Sequence, residues 1–256
     1  MAGPTEGEQH LSTAVVLAPA KLTVSLRVVG RRSDGYHLLD AEMVSLDLAN
    51  ELTFSDGDGL EVVHPAPGRS SLGGTGVIPL GPDNLVRRAL RAVARSAHVR
   101  LVKRIPTGGG LGGGSADAAA VLRWADVDDL DIAEALGADV PFCLRGGRAQ
   151  VSGIGESVSP LRYQERTFTL LTPPFGCSTP HVYKFWDEMG GPTADGPNDL
   201  EPAALAVEPL LARWRDRLGE ATGQNPVLAG SGSTWFVEGA FPGQDRVVVR
   251  TLPAYR

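Results

Sequence analysis

Pro106-Thr-Gly-Gly-Gly-Leu-Gly-Gly-Gly-Ser-Ala116 is the stretch around which the rest of the chain is read. Six of the seven residues from Gly108 to Gly114 are glycine. Without a Cβ, glycine reaches positive φ at little steric cost, so such a run lets the backbone close tightly around a bound group. The run leads into Ser115-Ala-Asp-Ala-Ala-Ala-Val-Leu-Arg-Trp124, whose alanine and leucine favour helix. A glycine-rich turn at a helix start presents unpaired N–H groups at the positive end of the helix dipole, which suits phosphate. Linkers also collect glycine, but they mix it with serine and charge and do not run into alanine-rich helices. The stretch reads as an anion cradle.

Gly108-x-Gly110-x-x-Gly113 also fits the dinucleotide fingerprint, which requires a strand immediately before it and an acidic residue ending the next strand. Here Arg104-Ile105-Pro106 intervenes, and the acidic residues from Asp126 to Asp131 follow no apolar run. No G-x-x-x-x-G-K-[ST] occurs, so the common P-loop is absent too. A nucleotide-phosphate loop of another type is expected, and a Rossmann-type oxidoreductase is the remote alternative.

With 256 residues the chain holds one large domain or two modest ones. Hydrophobic content of 42% and charged content of 21% are those of a soluble globular protein. The formal net charge is −6 and the basic residues are dispersed, which argues against a nucleic-acid partner. Cys143 and Cys177 stand apart and form neither a disulfide framework nor a metal site. No basic-then-apolar leader and no apolar run of 18 residues appears, so a cytoplasmic protein without a membrane partner is expected.

Residues 1–12 read as a disordered lead. Val15–Ala18 and Leu22–Val29 read as strands parted by Pro19-Ala20-Lys21. Lys21 is the only lysine before Lys103; a surface lysine is ordinarily just solvated, and position alone leaves its role open. Gly30-Arg-Arg-Ser-Asp-Gly-Tyr-His37 carries the turn dipeptide Asp-Gly and reads as a hairpin connection. Facing a ligand, Tyr36 and His37 would instead offer a stacking face and a hydrogen-bonding edge. Strand patterns at 42–54 and 60–63 flank Asp56-Gly-Asp-Gly59, another hairpin signal, and 64–82 reads as a loop.

Asp83-Asn84 opens a helix with Leu85, Ala89 and Val93 on one face and Arg87, Arg88, Arg91 and Arg95 on its solvated side. A strand at Val99–Val102 leads into the glycine loop, and a short helix over Ile132–Leu136 stops at Gly137. Asp139, before Val140-Pro-Phe142, either stabilises a turn or is a partly buried carboxylate that must be paired or functional. Strands at 148–154, 168–171 and 246–250 follow, with helices near 180–189 and 203–218, the former with Thr179 as N-cap and Pro180 at its first position. Gly230-Ser-Gly-Ser233 is a second small glycine loop in an otherwise β-like run, and composition shifts at 156–166.

Ala18-Pro-Ala-Lys21, Asp34-Gly-Tyr-His37, Asp83-Asn-Leu85, Lys103 through Ser115, Leu136-Gly-Ala-Asp-Val-Pro-Phe142, Gly176-Cys-Ser-Thr179, Asn198-Asp-Leu-Glu201 and Gly230-Ser-Gly-Ser233 occur in that order. Together they resemble the GHMP kinase superfamily, over roughly residues 14 to 250. Within it they are most similar to the branch that phosphorylates a cytidine-diphosphate-linked methylerythritol in non-mevalonate isoprenoid synthesis.

The resemblance implies a two-domain α+β fold. An N-terminal domain like the second domain of ribosomal protein S5 (13–156) would precede a ferredoxin-like C-terminal domain (157–256), with the active site in the cleft between them. It implies Asp139 as the base and Lys21 beside it, favouring the ionised carboxylate and stabilising developing charge. ATP would lie on Pro106 and on Gly108, Gly109, Gly110, Leu111, Gly112, Gly113, Gly114 and Ser115, with Mg²⁺ near Ser115 and with Asn84 and Lys103 on the adenine side. Tyr36, His37 and Tyr183 would form the cytidine pocket. Thr23 would touch substrate, and Gly230, Ser231 and Gly232 would close the phosphate side. A monomer or weak homodimer is expected.

Two departures stand out: Thr23 replaces the family's usual Asn, and the segment from Trp124 to Asp131 is short. A GHMP kinase of other specificity and a non-catalytic nucleotide-binding paralogue are the alternatives.

Overall fold

The computed structural model describes residues 13–64 and 78–255. The lead at 1–12 and most of the stretch 64–82 lie outside them.

Two long antiparallel strands organise the molecule. β1 (Ala14–Arg31) and β2 (His37–Ser55) are joined by the turn at Asp34-Gly35, so the hairpin expected there forms. The break expected inside β1 does not. Proline has no N–H for a ladder, and the pairing absorbs it through a register shift between Pro19 and Lys21 instead of ending the strand.

Along its other edge β2 carries three further strands in turn. β5 (Arg148–Gly153) pairs with Leu39–Val44, the end of β10 (Arg246–Leu252) with Ser45 and Leu46, and β4 (His98–Val102) with Glu51–Ser55. β3 (Gly59–Val63) runs parallel to β4, on its far side from β2. The hairpin expected at Asp56–Gly59 is therefore absent: β4 occupies the β2 edge that β3 would need. Gly59 suits this arrangement, because its N–H donates to Ala97 and a Cβ on it would fall 2.6 Å from His98 Nδ1. β6 (Ser157–Pro160), within the composition shift, extends the sheet from β5. Beyond β10 come β7 (Thr167–Leu171), β9 (Trp235–Glu238) and β8 (Val227–Leu228), which makes ten strands in one sheet among the described residues.

α1 (Leu85–Ala92) buries Val86, Ala89 and Leu90, with the Asn84 side chain accepting from the Val86 N–H as its cap. α2 (Gly113–Trp124) is buried at every residue from Ala116 to Leu122, and its small side chains let it pack closely against β1 and its helical neighbours. α3 (Leu130–Leu136) is capped by Asp129 and ends at Gly137. A six-residue α4 (Val140–Arg145) follows, where the sequence pattern predicts no helix. α5 (Thr179–Glu188) has Ser178, not Thr179, at its N-cap. The single helix expected at 203–218 is two, α6 (Glu201–Val207) and α7 (Leu211–Thr222), because Pro209 supplies no N–H and disfavours helix in the residue before it.

Two apolar clusters hold these layers. The first gathers Phe54, Leu101, Leu122 and Phe142 with Phe168, Leu170 and Phe236. The second gathers Val182, Leu200, Leu211, Leu218 and Trp235 with Leu26 and Leu39. Each large side chain so buried contributes about 1.5–3 kcal/mol. Both clusters mix residues from the two halves of the chain.

Candidate active site

The register shift at Pro19 takes the Lys21 N–H to a new partner, the Leu111 carbonyl in the glycine loop, at 3.1 Å. This ties β1 directly to the loop. The Lys21 side chain is almost fully buried, and its stem lies against Gly112, where a Cβ would fall 2.6 Å from Lys21 Cγ. Gly112 has φ 67° and is the N-cap of α2, so glycine is needed there both for conformation and for room. The lysine Nζ ends 3.3 Å from Asp139 Oδ2 and donates to Thr23 Oγ1 at 3.1 Å. Asp139 stands at the N-cap position of α4 but makes no side-chain capping bond. Its carboxylate, about one third exposed, opens into the cleft. An ammonium and a carboxylate 118 positions apart along the chain, at 21 and 139, thus meet at the mouth of the glycine loop.

That cleft is a cavity of about 560 Å³, within the range of small-molecule sites. Its wall includes Lys21, Thr23, Asn84, Lys103, Pro106, every residue from Gly108 to Ser115, Asp139, Tyr183, Gly230 and Ser231. The first N–H groups of α2 have no acceptor within the helix and face this space with the positive end of its dipole.

The second glycine loop braces the first, backbone against backbone. A Cβ on Gly110 would fall 2.8 Å from the Gly232 carbonyl oxygen and closer still to that of Ala229. Thr234 N–H donates to Gly109, and Gly108 lies against Gly176. The Thr179 hydroxyl, expected to cap α5, is instead bonded to the Ser231 hydroxyl at 2.8 Å.

Lys103 has a partner that the sequence reading missed. Its Nζ is 2.8 Å from Asp117 Oδ2, and Asn50 Nδ2 donates to the other carboxylate oxygen at 2.7 Å. Asn50 Oδ1 in turn accepts from the N–H groups of Arg104 and Ile105, which fixes the entry to the glycine loop. Burial pushes the Asp117 carboxyl up, while Lys103 and Asn50 pull it down. The signal in the sequence was one aspartate inside Ala116–Ala120, a helix stretch with no polar face. Asn84 also has its amide engaged, accepting from Val86 and donating to Pro79.

Three residues expected at the site are not in the cavity wall. Tyr36 is 60% exposed at the hairpin turn. His37 stacks on Tyr183 at 4.8 Å and meets Asp187 Oδ1 through Nε2 at 2.8 Å, so its ring closes against α5. Gly232 is turned toward Cys177 and Leu228. Tyr183 does line the cavity; burial, with Asp139 adding to it, pushes its hydroxyl up, so the phenol stays protonated.

Residues 84–147 match the family model described as the GHMP kinases N terminal domain. A homoserine kinase from Cytophaga hutchinsonii, 15% identical, superposes with a TM-score of 0.59 over 98% of each chain, a likeness of fold. The α+β fold is thus shared with that structure, and residues 84–147 carry the GHMP kinase N-terminal pattern.

A 4-diphosphocytidyl-2-C-methyl-D-erythritol kinase of Paracoccus denitrificans (strain Pd 1222) is 41% identical over 86% of this chain and 84% of its own. A crystal structure of 4-(cytidine 5'-diphospho)-2C-methyl-D-erythritol kinase, 30% identical, superposes with a TM-score of 0.71 over 93% of this chain and 99% of its own. The chain belongs to the 4-diphosphocytidyl-2-C-methyl-D-erythritol kinase family.

Proposed function

We propose that this enzyme transfers the γ-phosphoryl group of ATP to the 2-hydroxyl of 4-diphosphocytidyl-2-C-methyl-D-erythritol, giving the 2-phosphate and ADP in the non-mevalonate isoprenoid route. The observation that carries this is the Lys21–Asp139 contact at 3.3 Å beside the glycine loop. Asp139 accepts the proton of the acceptor hydroxyl as its oxygen bonds to the γ-phosphorus and the bond to the β-bridging oxygen breaks. Lys21 holds the Asp139 carboxylate in place and places a positive charge where the transferred group gathers negative charge. The N–H groups of Gly113, Gly114 and Ser115 hold phosphate oxygens, with Lys103 and Asn84 at the other end of the cavity toward adenine. Thr23, Gly230 and Ser231 face the acceptor, and the halves 13–156 and 157–256 serve as the two domains.

Mg²⁺ is compatible with the donors present. The Ser115 hydroxyl and Asp139 carboxylate are hard oxygen ligands, and a magnesium ion commonly binds through one or two such groups plus substrate phosphates. Among the described residues no group of three or more His, Cys, Asp or Glu is arranged to hold a metal; Ser115 and Asp139 together with the nucleotide phosphates would hold the ion. When bound it neutralises charge on the phosphates. A net charge of −6 with dispersed basic residues argues against a nucleic-acid partner, and two unpaired cysteines suit the cytoplasm; the enzyme acts there as a monomer or weak homodimer with no membrane partner.

The test is ADP release with the cytidyl substrate. Asp139→Asn is expected to lower kcat by about 10²–10⁴-fold with the fold intact by circular dichroism; turnover near wild type removes Asp139 from the role of base. A second reading, a kinase for a different acceptor, is favoured by Tyr36 and His37 lying outside the cavity wall. A substrate panel decides between them, since a cytidine site rejects acceptors that lack the base.

A further inference from the structure

Asn198-Asp-Leu-Glu201 has no part in the chemistry above, yet its first residue is among the most completely engaged side chains in the molecule. Asn198 is 1% exposed. Both protons of its amide are used, donated to the carbonyls of Leu228 at 2.8 Å and Gly230 at 2.7 Å, and its Oδ1 accepts from the Leu200 N–H at 2.9 Å. The backbone around it is fastened to β1. Leu26 N–H donates to Pro197 at 2.8 Å, and Asp199 N–H donates to Leu26 at 3.0 Å. The Asp199 carboxylate then accepts from the Val28 N–H and the Arg27 guanidinium.

One side of this segment is therefore joined to the strand that carries Lys21 and Thr23. The other side grips the loop that carries Gly230 and Ser231. Gly230 lies next to the reacting groups: a Cβ on it would be 3.8 Å from Lys21 Nζ and 3.7 Å from Thr23 Oγ1. The same loop presses the Ala229 and Gly232 carbonyls onto Gly110.

We propose that Asn198 is a positioning residue for phosphoryl transfer, fixing the Gly230 loop against Lys21 and the phosphate cradle through its two carbonyl bonds. The proposal rests on the kinase reading above. Buried carbonyls stripped of their donors seek other partners, which moves the loop. A displacement of about 1 Å near reacting groups is enough to cost about 10²-fold in rate.

Asn198→Asp keeps the side-chain size and the acceptor for Leu200 but sets a carboxyl oxygen against the two carbonyls. Its kcat is expected to fall about 10²-fold, with both KM values close to wild type. Hydrogen exchange at residues 228–234 is expected to quicken. Leu218→Ala supplies the comparison, since it opens a cavity in the second apolar cluster away from the cleft. It should lower the thermal midpoint and leave kcat unchanged. Where Asn198→Asp does not fold, Asn198→Ser, which retains one donor, is read in the same way with a smaller loss. The proposal is overturned if the folded variant keeps kcat within twofold of wild type, or if Leu218→Ala loses kcat in proportion to stability as the Asn198 variant does. Lack of turnover by the wild type on the cytidyl substrate would overturn the kinase reading instead. The exchange rates at 228–234 would then still decide whether Asn198 holds the loop.

Discussion

Burial pushes the thiols of Cys143 and Cys177 up, to about 12 and about 11. At pH 8 only about one part in ten thousand of Cys143 and about one in a thousand of Cys177 is thiolate, the form that reacts. Iodoacetamide should therefore leave both cysteines of the native protein nearly untouched at pH 8. The rate at Cys177 should climb about tenfold per pH unit toward pH 11. Mass spectrometry showing prompt modification of either at pH 8 contradicts this. Lys21 stood out in the sequence as the lone early lysine and Asp139 as a carboxylate in apolar company, each with its role open; the fold brings the two within 3.3 Å. The partner of Lys103 was not legible, because Asp117 acquires meaning only from a group 14 residues away that the fold turns toward it. Tyr36 and His37 show the reverse case. Their types suit a base-binding pocket, but the hairpin turn leaves one in solvent and folds the other onto α5.

α1 and most of the strands were readable from a clear period, and α2 from its alanine and leucine content. α4 escaped because six residues show no period, and the strand at 60–63 was read correctly but its pairing was not, because partners are chosen by the sheet and not by the turn. The two glycine loops were visible as sequence, but their contact was not, since it is made by main-chain atoms. That contact gives a prediction. Gly110 has φ 76° and carbonyl oxygens of the other loop where a side chain would go. Gly110→Ala should cost about 1–3 kcal/mol of stability from strain alone and weaken ATP binding. Urea denaturation and a nucleotide titration measure both, and wild-type values in the two together would separate the loops functionally.

At the scale of the molecule, the α+β fold was legible through the family resemblance that the ordered motifs carry, but the sharing of the core was not. Phe168, Leu170 and Phe236 pack with Phe54 and Phe142, and Leu26 and Leu39 with Leu211 and Trp235. Halves with separate cores unfold in steps; halves that share them do not. Calorimetry should show one endotherm whose calorimetric and van't Hoff enthalpies agree, and two resolved transitions would refute this.

β10 sits between β2 and β7 and is the strand made last on the ribosome among those described. Until it emerges, the β7 edge and the middle of β2 have hydrogen-bonding groups bare, a template for the wrong strand. The nascent chain is thus at its most sticky just before synthesis of this region ends, and chaperone demand should peak there. Chains that stop before Arg246 carry Lys21, Asp139 and both glycine loops, yet they are expected to lack activity, because the strand that joins β7 to β2 is then missing.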